Sequence, residues 1–212
     1  MLKGERVNVA VLVSGGGTNL QALLDAQAAG ILRAGQIALV VSDREGAYAL
    51  SRAQAAGVEA LCLPRRGKTP EEWESGLIAA LDARGIGLVV LAGFLTVLGS
   101  AFVGAFRNRI VNVHPSLVPA FCGMGYYGLR VHEAALARGV KVTGATVHLV
   151  DEVPDGGPIL LQKAVRVRKG DTPRMLQKRV MEQAEWVLLP KACETLCKNL
   201  LKEEKPYARG SL

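Results

Sequence analysis

Apolar runs and stretches of helical spacing alternate along this chain from residue 7 onwards. The run 7–13 (VNVAVLV) is apolar at all but one position, as expected of a strand buried on both faces. Three glycines follow at 15–17. Helical spacing then holds over 19–29 and stops at Gly30, the residue type that best tolerates a left-handed helix end. The same alternation predicts a strand at 37–41, a helix near 47–56 closed by Gly57, a strand at 59–63 and a helix over 70–83 opened by Pro70. A strand at 88–92, a short helix at 96–105 and a strand at 110–114 complete the series. The rhythm then changes. After a long loop and a helix near 131–138, strands at 143–150 and 159–167 follow one another with no helix between them. The tail over 172–201 is helical, with Pro190 expected to kink or interrupt it.

Strands and helices alternating through short turns predict a single-domain, Rossmann-like α/β fold, a mostly parallel twisted sheet with helices on both faces. The last two strands lack a crossover helix and are expected to add antiparallel at the C-terminal edge. No linker, repeat or low-complexity stretch divides the chain, so one domain is expected over 1–201 and a flexible tail over 202–212. A length of 212 residues, half of them hydrophobic, suffices for one large core. The charged segment 1–6 and the apolar run behind it are too short for a signal peptide or a membrane span. The four cysteines lack zinc-knuckle spacing and read as reduced thiols, so the expected location is the cytoplasm. A net charge of +7 favours anionic partners. With dispersed basic residues and only 5% aromatics, it points to a phosphorylated small molecule rather than a nucleic acid.

Candidate chemistry begins at 110–114. Alternation along a strand puts Asn112 and His114 on one face, and Pro115 ends the pairing directly after them. Open parallel sheets bind ligands at the carboxyl ends of their strands. The two residues are therefore either half of an active site or a satisfied structural pair. The stretch 14–19 (SGGGTN), between a strand and a helix, offers free backbone N–H groups to a phosphate. No Gly-Lys-Ser/Thr follows, so it is not a P-loop, and Leu20 stands where a dinucleotide fingerprint needs glycine. The alternative is a tight turn capped by Thr18. The stretch 151–158 (DEVPDGGP) is either a plain hairpin loop or one that carries Asp155 over the sheet to an imidazole. His148, within a strand, is expected to be partly buried, and His132 to be a surface or packing residue. Asp43 imitates a ribose-binding acid but lacks the glycine fingerprint.

Three stretches, VLVSGGGTNLQALL, LAGFLTVLGSAF…IVNVHPSLVPAF and GATVHLVDEVPDGGPILLQKAV, resemble in order and spacing the phosphoribosylglycinamide formyltransferases of purine synthesis. The resemblance runs from Val7 to about Leu196. It implies transfer of a formyl group from 10-formyltetrahydrofolate, a co-substrate used without a metal, to the amine of 5'-phosphoribosylglycinamide (GAR). It implies Asn112, His114 and Asp155 as the catalytic trio, and Gly17, Thr18 and Asn19 as the grip on the substrate phosphate. Glu185 would help hold the ribosyl glycinamide, and Leu95, Thr96, Val97 and Leu98 would wall the pterin together with Asp151, Glu152, Val153, Pro154 and Asp155. The expected chemistry is direct transfer through a tetrahedral intermediate. Asn112 and a protonated His114 would donate to its oxyanion, with Asp155 raising the histidine's pKa. Two positions depart from the family pattern. Pro70 stands where an arginine is frequent, with Arg65, Arg66 and Lys68 nearby, and Trp186 stands where a histidine follows the glutamate. The glycine-rich stretch AFCGMGYYGLRVHEA, like that of one branch of the family, reads as a mobile loop beside the site. The expected partners are these two small molecules, with neither nucleic acid nor membrane, and the expected assembly is a monomer or homodimer. A methionyl-tRNA formyltransferase would add a C-terminal nucleic-acid-binding domain for which no room is expected, and a formyltetrahydrofolate hydrolase would carry an N-terminal regulatory domain and a histidine where Pro115 stands. A non-catalytic anion-binding module is the reading from another class.

Overall fold

Strand β1 (Val7–Val13) sends Val7, Val9, Val11 and Val13 to one face of a sheet and Ala10 and Leu12 to the other, and all six are fully buried. This two-sided burial is what the nearly unbroken apolar run encodes. The computed structural model describes residues 6–202; residues 1–5 and 203–212, with nearly all of the expected tail, lie outside the described residues. The other strands are β2 (Gly35–Ser42), β3 (Glu59–Cys62), β4 (Ile86–Leu91), β5 (Ile110–His114), β6 (Val142–Leu149) and β7 (Ile159–Arg166). They form one seven-stranded sheet in the order β3-β2-β1-β4-β5-β6-β7. Neighbours from β3 to β5 are parallel, whereas β6 pairs antiparallel with both β5 and β7. The expected Rossmann-like sheet with an antiparallel C-terminal edge is thus present.

One face is covered by α1 (Thr18–Ala28), α2 (Tyr48–Ala55), α6 (Pro173–Val180) and α7 (Trp186–Leu201), through buried Leu20, Leu23, Ala49, Leu176 and Leu189. The other is covered by α3 (Pro70–Asp82) and α4 (Ser100–Ala105), through Trp73, Leu77, Phe102 and Phe106. Each such large side chain contributes roughly 1.5–3 kcal/mol when fully buried. Helix α5 (Leu129–Arg138) precedes the antiparallel strands. Among the described residues no helix is long and apolar enough to cross a membrane.

Several elements differ from expectation. The helix expected over 96–105 begins only at Ser100, because the buried Glu74 carboxylate accepts the Gly99 N–H at 2.6 Å and the Thr96 hydroxyl donates to Asp43 at 2.7 Å. These bonds hold the residues after β4 as a loop. Helix α5 starts at Leu129, two residues before the predicted start. Pro190 does not interrupt the tail: α7 runs through it, and the irregular step falls just ahead, in a π-helical turn at Met181–Glu185. Such a turn widens the hydrogen-bond register before the proline, which lacks an N–H of its own.

The chain leaves β1 for β2 and β3 on one side, then returns to β4 on the other side of β1. Strand order therefore reverses between β1 and β4, and the loops at their carboxyl ends diverge to form a crevice. Backbone N–H of Ser14 donates to the Gly93 carbonyl at 3.2 Å, and Leu95 N–H donates to the Ser14 hydroxyl at 2.9 Å. The two loops are fixed to one another by these bonds.

Candidate active site

Strand β5 ends at His114 beside this crevice, with Asn112 two residues earlier on the same side. Across the antiparallel pair, Asn112 stands opposite His148 of β6. The loop from β6 to β7 brings Asp155 back over both. It can do so because Asp155 adopts a left-handed backbone, φ 55°, and two glycines follow. A Cβ on Gly157 would overlap the Leu149 carbonyl oxygen, and one on Gly156 would lie 2.7 Å from the Val153 side chain. The Asp-Gly-Gly sequence is thus what lets the loop fold flat onto the end of β6.

The Asp155 carboxylate is the hub of the cluster. Its Oδ2 accepts the Gly123 N–H at 2.8 Å and lies 3.4 Å from His114 Nδ1. Its Oδ1 lies 3.4 Å from both His148 Nε2 and Asn112 Nδ2. His114 Nε2 is 2.8 Å from the Phe121 carbonyl, which can only accept, so Nε2 carries the hydrogen and Nδ1 faces Asp155. Phe121 holds that carbonyl in place from a left-handed backbone, φ 51°. By the same logic His148 Nδ1 donates to the Leu149 carbonyl at 2.8 Å, and its Nε2 lies 3.2 Å from the Asn112 amide and 3.4 Å from Asp155 Oδ1.

Burial pushes the His114 pKa down; the Asp155 charge and the Phe121 carbonyl hold it up, and burial prevails, so the net value lies below the ordinary one. Asp155 does raise the histidine's pKa as expected, but the expectation of a protonated histidine is corrected, because an imidazole only 4% exposed gives up more hydration than a carboxylate 3.4 Å away returns. For Asp155 burial acts upward, but the bond to His148, the charge of His114 and the Gly123 N–H outweigh it, and its pKa is lowered. His132 is wholly buried and not at the surface; burial and the nearby His114 charge bring it to about 4, a neutral packing group.

The second cluster lies where β1 meets α1. Gly17, not Thr18, is the N-cap residue; it is left-handed at φ 73°, and no side chain caps the helix. A Cβ at Gly17 would sit 2.6 Å from that of Ala49, whereas Gly15 and Gly16 border open space. The Thr18 hydroxyl points at the Met181 sulfur, 3.7 Å away. The first turn of α1 carries no acid, and Arg52 is tied to the loop through Nε to the Gly16 carbonyl and Nη1 to Gln21, both at 2.8 Å. The buried Asn19 donates at 2.7 Å to the buried Glu185, whose pKa burial raises to about 7 despite that bond. Asn19 thus meets Glu185 from 166 residues away in the chain.

A cleft of about 600 Å³ opens beside the catalytic candidates. Leu95, Thr96, Val97 and Leu98 line one side, Asp151, Glu152, Val153, Pro154 and Asp155 another, and the 123–127 loop with Tyr126 and Tyr127 covers part of it. Asn112 and His148 reach its floor. A longer groove of about 920 Å³ runs between α1 and α7 from Thr18, Arg52 and Trp186, and contains neither His114 nor Asp155. Asp43, the imitation ribose acid, instead orients Thr96. Among the described residues no group of three or more His, Cys, Asp or Glu is disposed to hold a metal ion. His148 is the member of the site that sequence reading passed over. Its signal was the β5–β6 register, which a strand pattern alone does not supply.

The chain is 37% identical over 199 residues to a chloroplastic phosphoribosylglycinamide formyltransferase of Arabidopsis thaliana, covering 93% of this chain and 68% of the relative. It is 38% identical to the human trifunctional purine biosynthetic protein adenosine-3, spanning 93% of this chain but only 19% of that much longer protein. The crystal structure of glycinamide ribonucleotide transformylase 1 from Symbiobacterium toebii superimposes with a TM-score of 0.86 at 41% identity, over 93% of this chain and 90% of the other. The profile of the family described as formyl transferase matches residues 7–192, which include both clusters, and the chain belongs to that family.

Proposed function

We propose that the protein transfers the formyl group of 10-formyltetrahydrofolate to the glycinamide amine of GAR, yielding formyl-GAR and tetrahydrofolate in de novo purine synthesis. The observation that carries this reading is the cluster of Asn112, His114 and Asp155, of which Asn112 and Asp155 line a cleft of about 600 Å³ and the buried His114 lies 3.4 Å from Asp155. The left-handed Gly17 turn before α1 follows β1, the strand beside β4. Relatives named for this reaction match over nearly the whole chain.

The residues divide the chemistry as follows. The neutral amine attacks the formyl carbon, giving an oxyanion and a cationic nitrogen. The Asn112 amide donates to the oxyanion, and loss of one such donor typically lowers kcat by about 10²–10³. His114, neutral at rest, accepts the nitrogen's proton at Nδ1. The imidazolium then pairs with Asp155 and delivers the proton to the departing folate nitrogen, directly or through water. Collapse breaks the bond between carbon and folate nitrogen and leaves the formyl group on the glycinamide. Gly17, Thr18 and Asn19 bind the phosphate, Glu185 takes ribosyl glycinamide donors, and the walls at 95–98 and 151–155 hold the pterin. Fixing both substrates in attack geometry supplies the other large share of the rate. A cytoplasmic location and a monomeric or homodimeric assembly belong to the same reading.

The test is GAR-dependent release of tetrahydrofolate by the purified protein, followed spectroscopically. His114→Ala and Asp155→Asn are expected to lower kcat at least 100-fold while calorimetric GAR affinity stays within a few-fold. Near-normal turnover in both variants would refute the mechanism.

A further inference from the structure

The groove between α1 and α7 is larger than the catalytic cleft, about 920 Å³ against about 600 Å³. Apart from Thr18 at one end, it holds none of the residues given to the proposed reaction. Its shape follows from the sequence. Ala22, Ala26 and Ala29 recur three to four residues apart along α1 and its C-cap. Their methyl groups do not fill the space opposite Val187 and Pro190 of α7, so a trough remains. Ile31 and Val187 line it while 58% and 48% exposed, an apolar rim. The half-buried Trp186 adds an indole to the wall, and its Nε1–H is shielded from water with no acceptor among the described residues.

Charge decides what such a trough holds. Of its acids, Glu194 is compensated: Lys198 lies 3.1 Å away, and the Arg33 and Ala34 N–H groups both donate to it at 2.8 Å. Asp25 accepts the Gln21 amide at 2.9 Å. Arg52 and Lys191 also line the groove, and neither makes a salt bridge among the described residues. Arg52 gives Nε to the Gly16 carbonyl and Nη1 to Gln21, which leaves Nη2 for a ligand. Two unpaired cations against one acid make the lining net positive beside apolar walls. Small molecules bind in cavities of this make-up, apolar with a few convergent polar groups.

We propose that this groove is a second ligand site, which takes organic anions with a flat apolar body. The body lies along the α1 alanines and the Trp186 ring, and the anionic group meets Lys191 and Arg52. The site is independent of the proposed reaction, since the groove contains neither His114 nor Asp155. Lys191 is exposed, so the charge is expected to contribute about fivefold in affinity and the apolar contact the rest.

The probe that tests this is anilinonaphthalene sulfonate, with neutral phenylnaphthylamine as its counterpart lacking the sulfonate. The chain has two tryptophans, so the full-length protein gives two indole N–H signals in a proton–nitrogen correlation spectrum, assigned with Trp186→Phe. Trp73 packs on the opposite face of the sheet from α1 and α7. The anion is expected to shift the Trp186 signal saturably and leave that of Trp73 unmoved. It should bind about fivefold more tightly than the neutral compound. Lys191→Glu should weaken the anion about fivefold and leave the neutral compound unchanged, whereas Ala22→Leu, which fills the trough, should weaken both. Movement of the Trp73 signal alone, equal affinity for the two compounds, or an anion affinity unchanged in Lys191→Glu would overturn the site. So would a Trp186 signal that moves with protein concentration before any probe is added, because the groove would then belong to a second copy of the chain.

Discussion

Under the proposed function His114 works as a buried neutral base. Because its pKa lies below the usual 6.5, the imidazole is mostly uncharged at pH 7, with Nδ1 free to take a proton. Activity should therefore fall only when pH drops below about 6.5, as Nδ1 is protonated ahead of the substrate amine. Asp155 acts against burial, so its removal should depress the histidine further. In Asp155→Asn the acid limb of the residual kcat/KM profile is expected to move to lower pH, and a limb moving upward would contradict the electrostatics. The pair Asn112 and His114 was legible in the sequence because a two-residue step along one strand fixes a shared face. The direction of the His114 shift was not legible. It is set by burial against β6 and the Phe121 loop, which only tertiary packing decides.

The loop between β6 and β7 shows how one element encodes a site. Of the residues in 151–158, Gly157 is the one whose missing side chain lets the loop close on the Leu149 carbonyl. Gly157→Ala is expected to lower stability by about 1–3 kcal/mol through overpacking. It should also reduce kcat far more than folate affinity, because Asp155 is displaced while the 95–98 wall stays in place. Thermal unfolding followed by circular dichroism, alongside steady-state kinetics, checks both parts. The glycine turn before α1 reads differently: only Gly17 has a steric reason to be glycine, and open space at Gly15 and Gly16 leaves room for a ligand to approach the backbone. Strands and most helices were legible because their apolar periods match their burial. The 96–99 stretch was misread as helix because its shape is imposed by Glu74 and Asp43, which lie far away in sequence.

At the scale of the whole molecule, the first and last helices are tied together where Glu185, just before α7, is sealed against Asn19 of α1. Burial raises this carboxyl from 4.5 to about 7, so the folded protein binds more protons than the unfolded chain between those values. Stability therefore declines as pH rises through that window. Above it the group opposes folding by about 3 kcal/mol, since each pKa unit corresponds to about 1.4 kcal/mol. A fold that keeps such a group gains something else from it, and a buried carboxylate that can accept from ribosyl glycinamide donors is that gain under the proposed function. Glu185→Gln keeps an oxygen for the Asn19 amide but has no charge to hide. It is expected to exceed the wild type by about 1–3 kcal/mol in urea denaturation at pH 8, with the advantage vanishing near pH 4.5, while its KM for GAR rises at least tenfold. Equal stability of the two proteins at pH 8 would mean that Glu185 is not forced to ionise in the interior, and the link between its burial and substrate binding would be lost.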